Sequence, residues 1–307
     1  MNDAEQLEHL NETMQIAGLS PRNVVLPTGR QLIVNNIRLN LLEWGPADAP
    51  PIVFMHGGNL NAHTWDLTCV VLSDRYRCIA VDMRGHGDSE WAADVDYSFP
   101  TMEADLKGVV DALELHMPVV VGMSYGGLVS IKFAGDHSSE MSGLVIVDTG
   151  PDIRTHGAEE IREFTQNDQI MDSVEDFVNR AIRFNSRRRP ELLRRSLLHN
   201  LRMLPSGRWT WKWDWRRLHD YDLKVLGEQM AVLWQSVVLI TCPTLIVRGE
   251  YSNVFLPEDA EKLSAALPGS KLEVVANSGH TVQGDNVSGL LDVLEPFVSE
   301  AFAAWTP

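Results

Sequence analysis

Two short stretches carry residues whose types and spacing suit acyl transfer. Gly122-Met-Ser-Tyr-Gly126 has the G-x-S-x-G form and stands directly after the apolar run Val119-Val-Val121 and directly before a helical pattern. A strand that turns at once into a helix forces the residue at the bend into a strained backbone, and flanking glycines remove the side chains that would collide there. The hydroxyl of Ser124 is then exposed as a nucleophile. A serine attacking a carbonyl needs a base, and among ten histidines His280 in Asn277-Ser-Gly-His280 has the right setting, after the last apolar run and before the last helical pattern. It also needs donors for the oxyanion of the tetrahedral intermediate. One is the backbone N–H of Tyr125 at the start of the following helix. The other is expected from Met55-His-Gly-Gly-Asn59, where glycines let the backbone approach a substrate: Gly58 N–H is the candidate donor, with Asn59 its substrate-side neighbour. His86, in Asp82-Met-Arg-Gly-His-Gly-Asp-Ser89, competes for the role of base, but a loop this dense in Gly, Asp and Ser reads as a turn held by local hydrogen bonds.

These residues need a scaffold that brings distant chain segments together. Short apolar runs recur at Ile52-Val-Phe-Met55, Cys78-Ile-Ala-Val81, Val119-Val-Val121, Leu144-Val-Ile-Val147, Thr244-Leu-Ile-Val247 and Leu272-Glu-Val-Val275. Runs of this length, apolar on both faces, predict central parallel strands. Helical patterns over 102–115, 125–134, 257–267 and 287–297 alternate with them, so the reading is an α/β fold with a mostly parallel sheet covered on both faces. Ile37-Arg-Leu-Asn-Leu alternates as a half-exposed strand of an antiparallel edge hairpin would. Between about 151 and 238 the alternation stops and helices and loops take over. The expected organisation is therefore a helical extension (1–22), a core in two parts (23–150 and 239–307) and a helical cap (151–238) inserted after the sixth strand.

Composition narrows the partners. The chain has 307 residues and a net charge of -16, a field that repels phosphate backbones and anionic lipid headgroups, so neither nucleic acid nor a membrane is expected. An acidic start and the lack of an apolar run long enough to span a bilayer predict a cytosolic protein. Cys69, Cys78 and Cys242 show no metal-ligand spacing and read as reduced packing residues, so no metal and no cofactor are expected. Oligomeric state stays open.

Taken in order, His56-Gly-Gly, Asp82-Met-Arg-Gly-His-Gly-Asp-Ser, Gly122-Met-Ser-Tyr-Gly-Gly and Ser278-Gly-His resemble the motifs of the α/β-hydrolase fold, and the resemblance covers nearly the whole chain from about residue 23. It implies a Ser–His–acid site under a cap, with the acid at one of two strand ends. The loop after the seventh strand reads Val247-Arg-Gly-Glu-Tyr-Ser-Asn-Val254, with Asn253 where relatives often carry Asp, and offers only Glu250. The end of the sixth strand offers Asp148, 24 residues after Ser124. That layout resembles one group of haloalkane dehalogenases and (E)-2-(acetamidomethylene)succinate hydrolase, and Asp148 is preferred. The implied activity is hydrolysis of a small carboxylic ester, lactone or related acyl bond. Two alternatives stay open: proton abstraction by the same His–Asp pair, as in cofactor-free dioxygenases or lyases of this fold, and a retired scaffold that only binds ligands.

The inserted segment carries two further signals. From Arg180 to Arg217 there are twelve Lys and Arg against two acids, Glu191 and Asp214. Some could attract an anionic substrate, although most of the twelve cannot reach one small pocket and would pair with the acidic core. Arg208-Trp-Thr-Trp-Lys-Trp-Asp-Trp-Arg216 places four Trp at spacing two, on one face if extended. They form a packing ridge or part of a pocket wall, with Trp211 the candidate substrate contact.

Overall fold

The computed structural model describes residues 2–152, 169–184, 188–218 and 223–306. Parts of the cap, Arg187 of its basic run among them, lie outside the described residues. The strands are β1 (Thr28–Val34), β2 (Ile37–Trp44), β3 (Pro51–Met55), β4 (Arg77–Asp82), β5 (Val119–Met123), β6 (Gly143–Val147), β7 (Ile170–Met171), β8 (Leu201–Met203), β9 (Trp209–Trp211), β10 (Thr244–Gly249) and β11 (Lys271–Val275). Eight of them form one sheet in the order β1-β2-β4-β3-β5-β6-β10-β11. The first three in that order pair antiparallel, and every pairing from β4 to β11 is parallel.

The apolar runs become strands because both faces are covered. In β3, Val53 and Met55 join one core cluster and Ile52 and Phe54 the other. The first cluster is completed by helices α3 (Phe99–Ala112) and α4 (Tyr125–His137), through residues such as Leu106 and Phe133. The second is completed by α1 (Asp3–Ile16), α2 (Asp66–Leu72) and the last helix, Val287–Ala301. Leu10 and Met14 of α1 are fully buried in it, and α1 also lies against the cap helix Pro190–Asn200, whose Arg189 donates to the carbonyl of Ile16. Asn35 and Asn36, at φ 46° and 59°, make the two-residue turn between β1 and β2, where side chains that tolerate the left-handed region are required. At the other edge β11 departs from the central-strand expectation: Lys271, Glu273 and Val274 are exposed, which leaves a charged edge facing water.

β4 lies on one side of β3 and β5 on the other. The loops leaving the carboxyl ends of β3 and β5 therefore diverge and open a crevice, the place where open parallel sheets bind ligands.

The segment expected to form a helical cap after β6 is not purely helical. β7, β9 and β8 make a small antiparallel sheet beside the helices Val174–Phe184 and Pro190–Asn200. Strands of two or three residues are too short to register as apolar runs. Its own core contains Val174, Phe177, Leu193, Leu197, Trp211 and Trp213. The expected boundary at 238 also shifts. Helix Leu223–Val237 belongs with the core, where Met230, Leu233 and Val237 enter the first cluster. A Cβ on Gly135 of α4 would come within 2.7 Å of Ser236, so only glycine allows that helix crossing. All three cysteines are free, with Cys69 and Cys78 buried. Among the described residues no helix is long and apolar enough to cross a membrane.

Candidate active site

Ser124 sits between β5 and α4 with φ 52° and ψ -120°, a left-handed conformation that costs a non-glycine residue of order 1–3 kcal/mol. The bend is held from all sides. The Ser124 N–H donates to Val147 O at 3.0 Å, linking the turn to the end of β6. A Cβ on Gly126 would lie 2.6 Å from Met55 O, and one on Gly122 would meet Gly126 O and Ser130 Oγ. The glycines of the motif are thus needed for helix, turn and β3 to approach this closely.

Asp148 begins the segment after β6, at φ 54°, with its N–H donating to Val247 O at 2.7 Å. Its carboxylate is fully buried and accepts three hydrogen bonds: Oδ1 from Gly249 N–H at 2.8 Å, and Oδ2 from Ser252 Oγ–H at 2.5 Å and His280 Nδ1–H at 2.8 Å. In the tautomer this demands, Nε2 of His280 is the acceptor, and Ser124 Oγ lies 2.9 Å from it. The structure therefore brings Ser124, His280 and Asp148 into one hydrogen-bonded chain across the ends of three strands.

Glu250 is elsewhere. It is exposed, and its Oε2 accepts from Asn277 N–H at 2.8 Å, fastening the loop that leads to His280. Asn253 is exposed as well. Two residues that sequence reading passed over shape this corner. Ser252 is the third donor to Asp148, and buried Arg248 binds the carbonyls of Phe255, Glu250 and Ser252 at 2.7, 3.2 and 3.1 Å. No local pattern marks Ser252, because its role depends on a strand 104 residues away in sequence.

On the β3 side, a Cβ on Gly57 would lie 3.3 Å from Ser124 Cβ, so the His-Gly-Gly loop runs directly against the serine. Gly58 follows, half-buried, and Asn59 adopts φ 64° with its carbonyl accepting from Asn200 Nδ2 of the cap at 2.6 Å. His56 has a structural role. Its Nδ1–H donates to Gly57 O at 2.8 Å and its Nε2 accepts from Met83 N–H at 3.0 Å. His86 is buried with Nδ1 2.9 Å from Arg84 O, as a turn residue rather than a base would be. The Tyr125 hydroxyl donates to Tyr97 O and its ring packs 5.5 Å from Phe99.

The cap expectations divide. Trp211, expected to contact substrate, is instead buried in the cap's own core, edge-on to Phe177 at 4.8 Å and 6.2 Å from Trp213. The alternating tryptophans are a packing ridge, apart from Trp215, which is exposed. Six of the basic residues pair with acids: Arg188 with Asp285, Arg194 with Glu175, Arg195 with Asp66, Arg208 with Asp172, Lys212 with Asp88 and Arg216 with Asp214. This pairing accounts for those six without an anionic substrate.

Comparison with known proteins bears on the arrangement. The family model described as alpha/beta hydrolase fold matches residues 50–287. The esterase Rv0045c of Mycobacterium tuberculosis is 32% identical over 263 residues, 83% of this chain and 85% of its own length. A structure of that esterase, from work on its transition metal inhibition, superposes with a TM-score of 0.79, covering 94% of this chain and 97% of the other at 30% identity. E-2-(acetamidomethylene)succinate hydrolase has the same fold, with a TM-score of 0.80 at 22% identity over 89% of this chain and 99% of its own.

Proposed function

This chain belongs to the α/β-hydrolase fold family, and on that premise we propose that it is a serine esterase that cleaves small carboxylic esters or lactones through an acyl-enzyme on Ser124. The observation that carries the reading is the chain of hydrogen bonds Asp148–His280–Ser124, at 2.8 and 2.9 Å. The esterase named among its relatives supports the bond class.

In this reading Ser124 Oγ attacks the substrate carbonyl carbon while its proton passes to His280 Nε2. The carbonyl π electrons move onto oxygen, and the oxyanion accepts from the N–H groups of Gly58 and Tyr125. Collapse breaks the bond to the alkoxy oxygen, which takes the proton from His280 and leaves as alcohol. Water then attacks the acyl carbon and gives its proton to His280, and a second collapse returns that proton to Ser124. Asp148 holds the imidazole in the required tautomer and offsets its charge when protonated. Losing one oxyanion donor costs about 10²–10³ in turnover, so the strand ends that aim these amides matter alongside the side chains. Asn59 is the nearest substrate-side neighbour of Gly58. The three free cysteines suit a reducing, cytosolic setting. The inhibition by transition metals that is named for the Mycobacterium esterase is extended here as part of the same reading.

The test is the intact mass of the protein after exposure to a small fluorophosphonate, with His280→Ala beside it. A single adduct on Ser124, formed much more slowly in the variant, is expected. Absence of an adduct on a folded sample, with the reagent shown active on another serine hydrolase, overturns the acyl-enzyme and favours proton abstraction or ligand binding alone.

A further inference from the structure

A second cluster of ionisable groups lies where the cap meets the core, and the ester chemistry uses none of it. The short helix Ala62–Trp65 follows the loop that carries Gly58, and α2 begins at Asp66. The cap helix Pro190–Asn200 brings His199 onto it. The imidazoles of His63 and His199 stack with centroids 3.7 Å apart and 23° between their planes. Asp66 lies beneath them, buried, with Oδ1 and Oδ2 at 3.1 and 3.0 Å from His63 Nδ1. One donor atom from each of His63, Asp66 and His199 lies within 4.8 Å of the other two.

This is the chemistry a transition metal seeks. Two imidazoles and a carboxylate from three residues are a donor set that suits such an ion. An ionised carboxylate on the Nδ1–H of a histidine orients that ring and raises its basicity at Nε2, as carboxylate partners of metal-binding histidines do. Arg195, 2.6 Å from Asp66 Oδ2, removes part of the anionic charge. That neighbour works against hard ions such as Mg²⁺, which depend on carboxylates, and less against Zn²⁺, Ni²⁺ or Cu²⁺, which prefer imidazole.

We propose that His63, Asp66 and His199 form a transition-metal site that ties the cap to the loop carrying Gly58, and that an ion bound there slows turnover by holding the cap down. His63 belongs to the core and His199 to the cap, so one ion joins two parts of the molecule. Asn200, next to His199, already binds the carbonyl of Asn59. The inhibitory effect rests on the esterase reading; metal binding does not.

The experiment is calorimetric titration of Zn²⁺ and Ni²⁺ into the full chain, with Mg²⁺ as control, for the wild type, His63→Gln, His199→Gln and His280→Ala. One ion per chain is expected in the wild type and in His280→Ala, no Mg²⁺ heat, and affinity weaker by about 10-fold or more in each glutamine variant. Both substituted rings are partly exposed and come from different elements, so one folded variant suffices for the test. Loss of zinc inhibition should accompany loss of binding. Unchanged affinity in a folded glutamine variant, no binding by the wild type, or loss of binding only in His280→Ala overturns the proposal, the last by placing the ion at Ser124.

Discussion

The sheet and the seam between cap and core are built on opposite principles. Within the core, β3, β5 and β6 are buried along their whole length, and Gly58, Ser124 and Asp148 stand just beyond their ends. The seam carries a series of polar contacts: Arg195 on Asp66, Arg188 on Asp285, Asn200 on Asn59, Tyr97 on Asp214, and Asp214 N–H on Gly85 O. Asp285 in turn accepts from Gly279 N–H at 2.9 Å, so a cap arginine braces the loop of His280. Apolar packing fixes positions through many small contacts, each insensitive to the solvent once buried. A polar seam is set by a few directional contacts, and these can be exchanged for water when the parts separate. The difference teaches that the sheet fixes where Ser124 and Asp148 stand, while the cap is joined to it by contacts that water can replace.

The largest effect that would break this division is chemical. Ser124→Ala should lower ester turnover about 10⁵–10⁶-fold while leaving the unfolding midpoint near wild type; a small loss of turnover would remove the serine from its assigned role. Next, Asp148→Asn should cost about 10⁴ in kcat, as when a histidine is left in the wrong tautomer, while Glu250→Gln stays near wild type. The reverse ranking would move the acid to the β10 loop. For the core itself, Arg84 and Asp105 form a buried two-pronged pair at 2.5 and 2.6 Å. Arg84→Met leaves Asp105 without that partner and should lower stability by about 3–5 kcal/mol in denaturant titration. At the seam, Asn200→Ala removes one donor from Asn59 O and should cost about 1–2 kcal/mol, read the same way. The exposed pair of Lys212 with Asp88 is the smallest test, since Lys212→Ala should change stability by less than about 0.5 kcal/mol.

The same division governs what the amino-acid sequence discloses. Ser124 and His280 are legible because each is flagged by neighbours in the chain: two glycines and a buried strand for one, a strand-to-helix loop for the other. The acid is legible only as a choice between Asp148 and Glu250. What separates them is tertiary: Gly249 N–H and Ser252 Oγ–H turn to Asp148, while Glu250 turns to Asn277. The cap is least legible. Its tryptophan alternation is visible, but strands of two or three residues give no run to detect, and nothing local says which body Trp211 faces. Helix Leu223–Val237 shows an apolar stripe whose partner, α4, cannot be read from its place in the chain.

Helix α1 adds a matter of timing. It leaves the ribosome before the partners that hold it: the cluster that buries Leu10 and Met14 includes Leu290, Leu294 and Val298, and the arginine that binds its last turn is Arg189. At about 5–20 residues per second, synthesis of those partners follows by tens of seconds. The helix is thus made well before it can dock in that cluster, and the nascent chain carries it without those partners in the interval.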